Sequence, residues 1–311
     1  MSGKRKILMQ ADAKQTIEEA HEQYLKDCQA RGLSEGTIRS YDNHFRCIKQ
    51  FLNTEMPFEE LTRKDTENMT AKMREHGLAR NTIASYIRAI KCFLTWANQQ
   101  GLTTVTVPAY KQEETIKETY TDDELKVLLK KPELRSCDFR EYRDWVIVNL
   151  LVNSGCRAGS IRNIQIRDVD LANSIIYLRH TKNSKVLVLP LCSVMVGVLR
   201  EYITKRKGNA EDYLFCTEYG EKLTEAGLRT TIRRYNNRRG VEKTSIHLFR
   251  HTFARKYLVD CGGNAFTLQK LLGHSTLEMT KHYCQIFNKD IIKDYDNFSP
   301  LAQMTRQKIR I

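Results

Sequence analysis

Ile246-His247-Leu248-Phe249-Arg250-His251-Thr252-Phe253-Ala254, then Leu271-Leu272-Gly273-His274-Ser275, then Thr280-Lys281-His282-Tyr283 is the stretch on which the reading of this chain turns. His247, Arg250 and His251 fall at i, i+3 and i+4. At roughly 100° per residue a helix presents them on one face, beside a stripe of Phe249, Phe253 and Tyr257 that can enter a core. Thr244 or Ser245 can cap this helix, and Gly262-Gly263 can end it. Leu268, Leu271 and Leu272 form the apolar face of a second short helix with Gly273 as its C-cap, and Ser275 with Glu278 has capping-box spacing for a third. His274 then lies at a helix junction, where backbone N–H groups favour an anion. Tyr283 follows on or just after the third helix. A His-x-x-Arg pair alone says little, and a lone histidine usually just packs; the run of spacings says more.

Two upstream motifs extend the pattern. Arg157 sits in Asn153-Ser154-Gly155-Cys156-Arg157-Ala158-Gly159-Ser160, behind an apolar helix expected from Arg140 to Ser154. A guanidinium there can hold two phosphate oxygens at once, which an ammonium cannot. Ile175–Leu178 and Val186–Leu189 read as strands, with turn residues Thr181-Lys182-Asn183-Ser184-Lys185 between them,.

Together these motifs resemble the tyrosine recombinases, or phage integrase family. The resemblance implies a mainly α fold with a small antiparallel β-sheet (α+β), and a site-specific recombinase that cleaves and rejoins DNA through a 3′-phosphotyrosine intermediate. It assigns Tyr283 as nucleophile and His247 as base, with Arg157, Arg250 and His274 around the non-bridging oxygens. Lys182 is the hairpin general acid, with Lys185 a lesser substitute, and His251 has a supporting role. At Ser160 the chain departs from the family, where an acidic residue is usual, so whatever that carboxylate does to orient Arg157 is missing or done otherwise, and altered surroundings of the arginine are expected, not a dead site. The resemblance also implies double-stranded DNA sites, a homotetramer on DNA in which a C-terminal helix passes to the neighbour, and accessory DNA-bending factors as further partners. Integration and excision of a mobile element is the expected biology. Chromosome-dimer resolution is the alternative; a type IB topoisomerase-like enzyme and a DNA-binding protein without catalysis stand further off.

The remaining sequence agrees with this frame. The 311 residues carry 51 Lys+Arg against 37 Asp+Glu, a net charge of +14 that suits a polyanionic partner,. Nine cysteines without a C-x-x-C pair suggest neither a zinc site nor a disulfide framework,. With no Walker loop or two-metal carboxylate cluster either, no metal and no cofactor is expected. No apolar run approaches membrane-spanning length, and a cytoplasmic protein is expected.

Residues 1–104 read as a helical domain resembling the family's core-binding domain. Its helices are expected over Thr16–Ala30, from Ser34 to about Asn53, from Thr62 to near Gly77, and from about Asn81 to Asn98. Leu33, Thr37, Ile38, Ser40, Tyr41, Cys47 and Asn53 recur 45 residues later as Leu78, Thr82, Ile83, Ser85, Tyr86, Cys92 and Asn98. Shared helix-start chemistry and a duplicated hairpin both account for the echo. Residues 105–118 read as linker and 119–311 as the catalytic domain, its first helix opened by the Thr121–Glu124 capping box. The absence of room for a large arm-binding domain favours a simple two-domain integrase.

Overall fold

The computed structural model describes residues 14–111, 113, 118–179 and 186–284. The chain divides into two compact units, Met1–Thr115 and Ile116–Ile311.

Among the described residues the first unit is built from four α-helices, α1 (Ile17–Ala30), α2 (Glu35–Ile48), α3 (Arg63–Glu75) and α4 (Arg80–Gln99). Thr16, Ser34 and Thr62 each accept from a backbone N–H of the following turn, so the local cap signals act as the sequence suggests,. α2 stops at Ile48, short of the expected Asn53. Phe51 and Leu52 leave the helix and are buried in the core. The 45-residue echo is structural as well as textual. In the first turn Gly32 N–H donates to Gln29 O and Leu33 N–H to Cys28 O; in the second Gly77 N–H donates to Arg74 O and Leu78 N–H to Met73 O. The copies pack against each other: His44 of the first sets its ring edge-on to Tyr86 of the second, centroids 5.4 Å apart, and Tyr41 and Tyr86 lie beside Cys92 and Cys47 of the opposite copy. Inside the unit His21 lies flat on Phe45, ring centroids 3.6 Å apart. Part of the stretch expected as linker belongs to this unit: Val107 is buried in its core, with Val105 and Tyr110 packed on it, because these apolar side chains find α4 and its neighbours to cover them.

The second unit is organised around α6 (Phe139–Ser154), whose residues from Tyr142 to Leu151 are buried on nearly every side. Around it lie α5 (Asp122–Leu129), α8 (Ser193–Arg206), α9 (Glu225–Arg238) and α10 (Ile246–Arg255). The sequence did not mark α8 and α9. α7 (Ala158–Ile161) leads to a three-stranded antiparallel sheet of order β1-β2-β3: β1 Val169–Asp170, β2 Ile175–Leu178 and β3 Leu187–Pro190. Ile176 pairs with Leu189 and Leu178 with Leu187, turning Ile176, Leu178 and Leu189 inward. After α10 the backbone widens to a π-helical turn, Lys256–Asp260. α11 (Ala265–Leu272) and α12 (Glu278–Cys284) follow. α12 begins at Glu278 itself, two residues beyond the start that a Ser275 cap would set, and the Ser275 hydroxyl donates towards Met279 Sδ. Among the described residues no helix is long and apolar enough to cross a membrane.

Candidate active site

The site forms where two helix C-termini converge on α10. Phe249 fixes α10 in the core, fully buried with its ring 4.4 Å from that of Tyr120, and the Thr252 hydroxyl accepts from Tyr120 N–H. This anchoring turns Arg250 inward, to 6% exposure. Its Nη1 donates to Gly155 O at the end of α6 (3.0 Å), and its Nη2 to Leu272 O at the end of α11 (2.9 Å). The carbonyl ends of both helices carry partial negative charge, which stabilises a guanidinium held there. Gly155 makes the first of these contacts possible. It closes α6 with a φ of +58°, and a Cβ there would meet Phe253 Cδ1 at 2.6 Å,.

Arg157 follows two residues later as the N-cap of α7, and its Nη1 reaches Leu272 O and Gly273 O, both at 3.4 Å. Backbone carbonyls at the end of α11 thus lie against Arg157, and residue 160, a serine, has no carboxylate to offer it. Burial, and the neighbouring charge of Arg250, hold the Arg157 pKa below the usual arginine value.

His274 follows the left-handed Gly273 that ends α11. Its Nε2 lies 2.6 Å from Arg250 Nη2 and its Nδ1 2.8 Å from Thr280 Oγ1. Burial first, then Arg250 and Arg157, push its pKa down to about 4, so the ring is neutral near pH 7,. Tyr283 is buried on α12 in a small apolar cluster with Ala254, Leu268 and Leu272. Its ring is stacked 5.9 Å from His274 and lies 5.3 Å from His251.

Of the six residues singled out in the sequence, the structure brings Arg157, Arg250, His274 and Tyr283 together. His247 is exposed on the first turn of α10. Lys182 lies outside the described residues. Thr280 and the carbonyls of Gly155, Leu272 and Gly273 were not singled out; Thr280 is detectable only by its spacing of six from His274 and three from Tyr283. The basic run of α9 divides. Arg233, Arg234 and Arg238 are exposed, whereas Arg239 is bound to Glu141 (3.1 Å) and stacked over Tyr235.

Comparison with known proteins accounts for both units. Residues 118–289, more than half of the chain, match the phage integrase family, and residues 21–101 match its N-terminal SAM-like domain. Tyrosine recombinase XerA of Saccharolobus solfataricus is 30% identical, over 85% of this chain and 87% of its own. Tyrosine recombinase XerD of Staphylococcus haemolyticus is 27% identical, over 90% of this chain and 98% of its own. The fold is also that of the Tn1549 transposon integrase solved with transposon right-end DNA, with a TM-score of 0.71 at 20% identity, over 86% of this chain and 94% of the other. The chain belongs to the phage integrase family and is a tyrosine recombinase, a site-specific enzyme that cleaves and rejoins DNA.

Proposed function

We propose that this recombinase integrates and excises a mobile DNA element, and that Arg157, Lys182, His247, Arg250, His274 and Tyr283 perform the chemistry. The observation that carries the reading is the convergence of two guanidiniums and His274 beside the ring of Tyr283. Phosphoryl transfer asks a protein mainly for positioning and for donors around the non-bridging oxygens. Arg157 and Arg250 supply two planar forks, and neutral His274 supplies an N–H rather than a full charge. The Tyr283 Oη–phosphorus bond forms as the bond from phosphorus to the 5′ oxygen breaks. A phenol titrates ordinarily at about 10, so its proton needs an acceptor; that acceptor is His247, and Lys182 protonates the departing 5′ oxygen. The resulting 3′-phosphotyrosine diester conserves the energy of the broken bond. Attack by the 5′ hydroxyl of another strand rejoins the DNA and returns the proton to Tyr283.

On this reading residues 1–104 clasp the duplex, a connection within 105–118 joins them to the catalytic domain of 119–311, and exposed Arg233, Arg234 and Arg238 add sequence-independent phosphate contacts,. The enzyme works in the cytoplasm as a homotetramer on paired sites, with DNA-bending proteins as accessory partners. Ile286, Phe287, Ile291, Ile292 and Phe298, the apolar tail assigned to linking protomers, lie outside the described residues.

A duplex nicked near the scissile phosphate tests the assignment. Wild type becomes covalently attached to it, whereas Tyr283→Phe binds the half-site with near-normal affinity but does not attach. Attachment by that variant, or at another tyrosine, refutes the assignment. Chromosome-dimer resolution is the second reading, favoured by the near end-to-end match to XerD. Recombination between the ends of a flanking element, against recombination at one chromosomal site, separates the two.

A further inference from the structure

Thr280 takes no part in the chemistry above, yet it is fully buried and its hydroxyl is 2.8 Å from His274 Nδ1. It stands on α12 three residues before Tyr283, so nearly one helical turn separates the two,. On the other side of the ring, Nε2 lies 2.6 Å from Arg250 Nη2. A guanidinium has donors only. Nε2 is therefore the lone-pair nitrogen in this arrangement, and the network assigns the single ring proton to Nδ1, which donates it to Thr280 Oγ1.

That tautomer has nothing to give a phosphate oxygen at Nε2. To serve the phosphate, Nε2 must carry the proton, and Nδ1 must then accept from a donor. A hydroxyl meets both demands, accepting from an N–H or donating to a bare nitrogen, whereas a carboxylate or an ammonium meets only one.

We propose that Thr280 is a positioning residue that lets His274 exchange tautomers. The ring passes from Nδ1–H, with Nε2 accepting from Arg250, to Nε2–H donating to the scissile phosphate, as the Thr280 hydroxyl reverses its hydrogen bond. The inference rests on the assignment of His274 to the phosphate made above. The proton count is unchanged, since Nδ1 releases one proton to water while Nε2 takes one up. The same event frees Arg250 Nη2 to turn to the phosphate. Because Thr280 and Tyr283 share a helix, the exchange is available only while α12 is docked, which ties phosphate recognition to the presence of the nucleophile.

Two measurements on the full chain test this. With ¹⁵N-histidine labelling in the Tyr283→Phe background, and His274 assigned by its loss in His274→Gln, the ring proton is expected on Nδ1 without DNA and on Nε2 with half-site DNA. The same protonated nitrogen in both states overturns the proposal. In single-turnover cleavage of the nicked duplex, Thr280→Val is expected to lose about tenfold, the scale of one hydrogen bond to a buried group, while Thr280→Ser retains the activity. A Val variant as fast as wild type overturns it too. Should Thr280→Val not fold, the labelling result on Thr280-intact protein decides alone. Cleavage by His274→Ala at the wild-type rate defeats the site assignment itself. An inactive His274→Ala beside an unaffected Thr280→Val defeats only the tautomer exchange.

Discussion

Gly155→Ala is expected to damage fold and site together. The left-handed φ of +58° costs a residue with a Cβ roughly 1–2 kcal/mol,. The added methyl group would also sit 2.6 Å from Phe253 Cδ1, 3.0 Å from Phe253 Cγ and 3.1 Å from Leu272 Cδ2. These atoms belong to α10 and α11, which are pinned by their own packing, so overpacking adds about 1–3 kcal/mol. The sum, about 2–5 kcal/mol, is a large part of the roughly 5–15 kcal/mol that holds a typical domain folded. The chain has two tryptophans, Trp96 in the first unit and Trp145 in the second, both buried. In a Trp96→Phe background, urea unfolding followed by Trp145 fluorescence therefore reads the second unit alone. Gly155→Ala should move that transition to lower urea by this amount. It should also slow single-turnover cleavage more than its unfolded fraction explains, because relief of the clash shifts the Gly155 carbonyl that orients Arg250. A destabilisation below about 0.5 kcal/mol, the range of a neutral surface change, with normal cleavage would refute the reasoning.

Arg250→Lys should cut cleavage by about 10² to 10³ despite keeping the charge, as when one oxyanion donor is removed; near-normal single-turnover rates would make Arg250 a structural charge. His21 is 4% exposed, and burial lowers its pKa from 6.5 to about 4. The unfolded chain therefore takes up the proton first, and the first unit should keep its stability above about pH 6.5 and lose up to about 3 kcal/mol as pH falls to about 4. Denaturation followed by Trp96 at several pH values checks this, and His21→Phe should flatten the dependence. Deleting residues 290–311 should leave a folded protein that binds one half-site but loses cooperative assembly and strand exchange; an insoluble product would mean the tail belongs to its own core.

What could be read from the sequence was what side chains decide locally. Thr16, Ser34, Thr62 and Thr121 each open a helix because the cap and its N–H partner lie within one turn of chain. The register of Arg250, His274 and Tyr283 was legible for a similar reason, being set by helix period and by Gly273. The hold on the arginines was not. Its acceptors are the carbonyls of Gly155, Leu272 and Gly273, and a carbonyl looks alike in every residue. Ser160 could therefore signal a missing carboxylate but not which groups Arg157 meets. The end of α2 was misplaced because burial of Phe51 and Leu52 overrode helical continuation, and the start of α12 was misplaced because the helix begins at Glu278, two residues later than a Ser275 box requires.

The exchange of partners between the two hairpins of the first unit bears on how that unit comes apart. Tyr41 lies beside Cys92 of the other copy, Tyr86 beside Cys47, and His44 sets its ring against Tyr86. Each half supplies what the other lacks, as two protomers of a dimer do, but with the concentration fixed by a single chain. Neither hairpin retains a complete set of neighbours alone, so melting one strips the other. The unit is therefore expected to have no stable half-unfolded form, and transitions followed by Trp96 fluorescence and by helical circular dichroism of the isolated first unit should coincide.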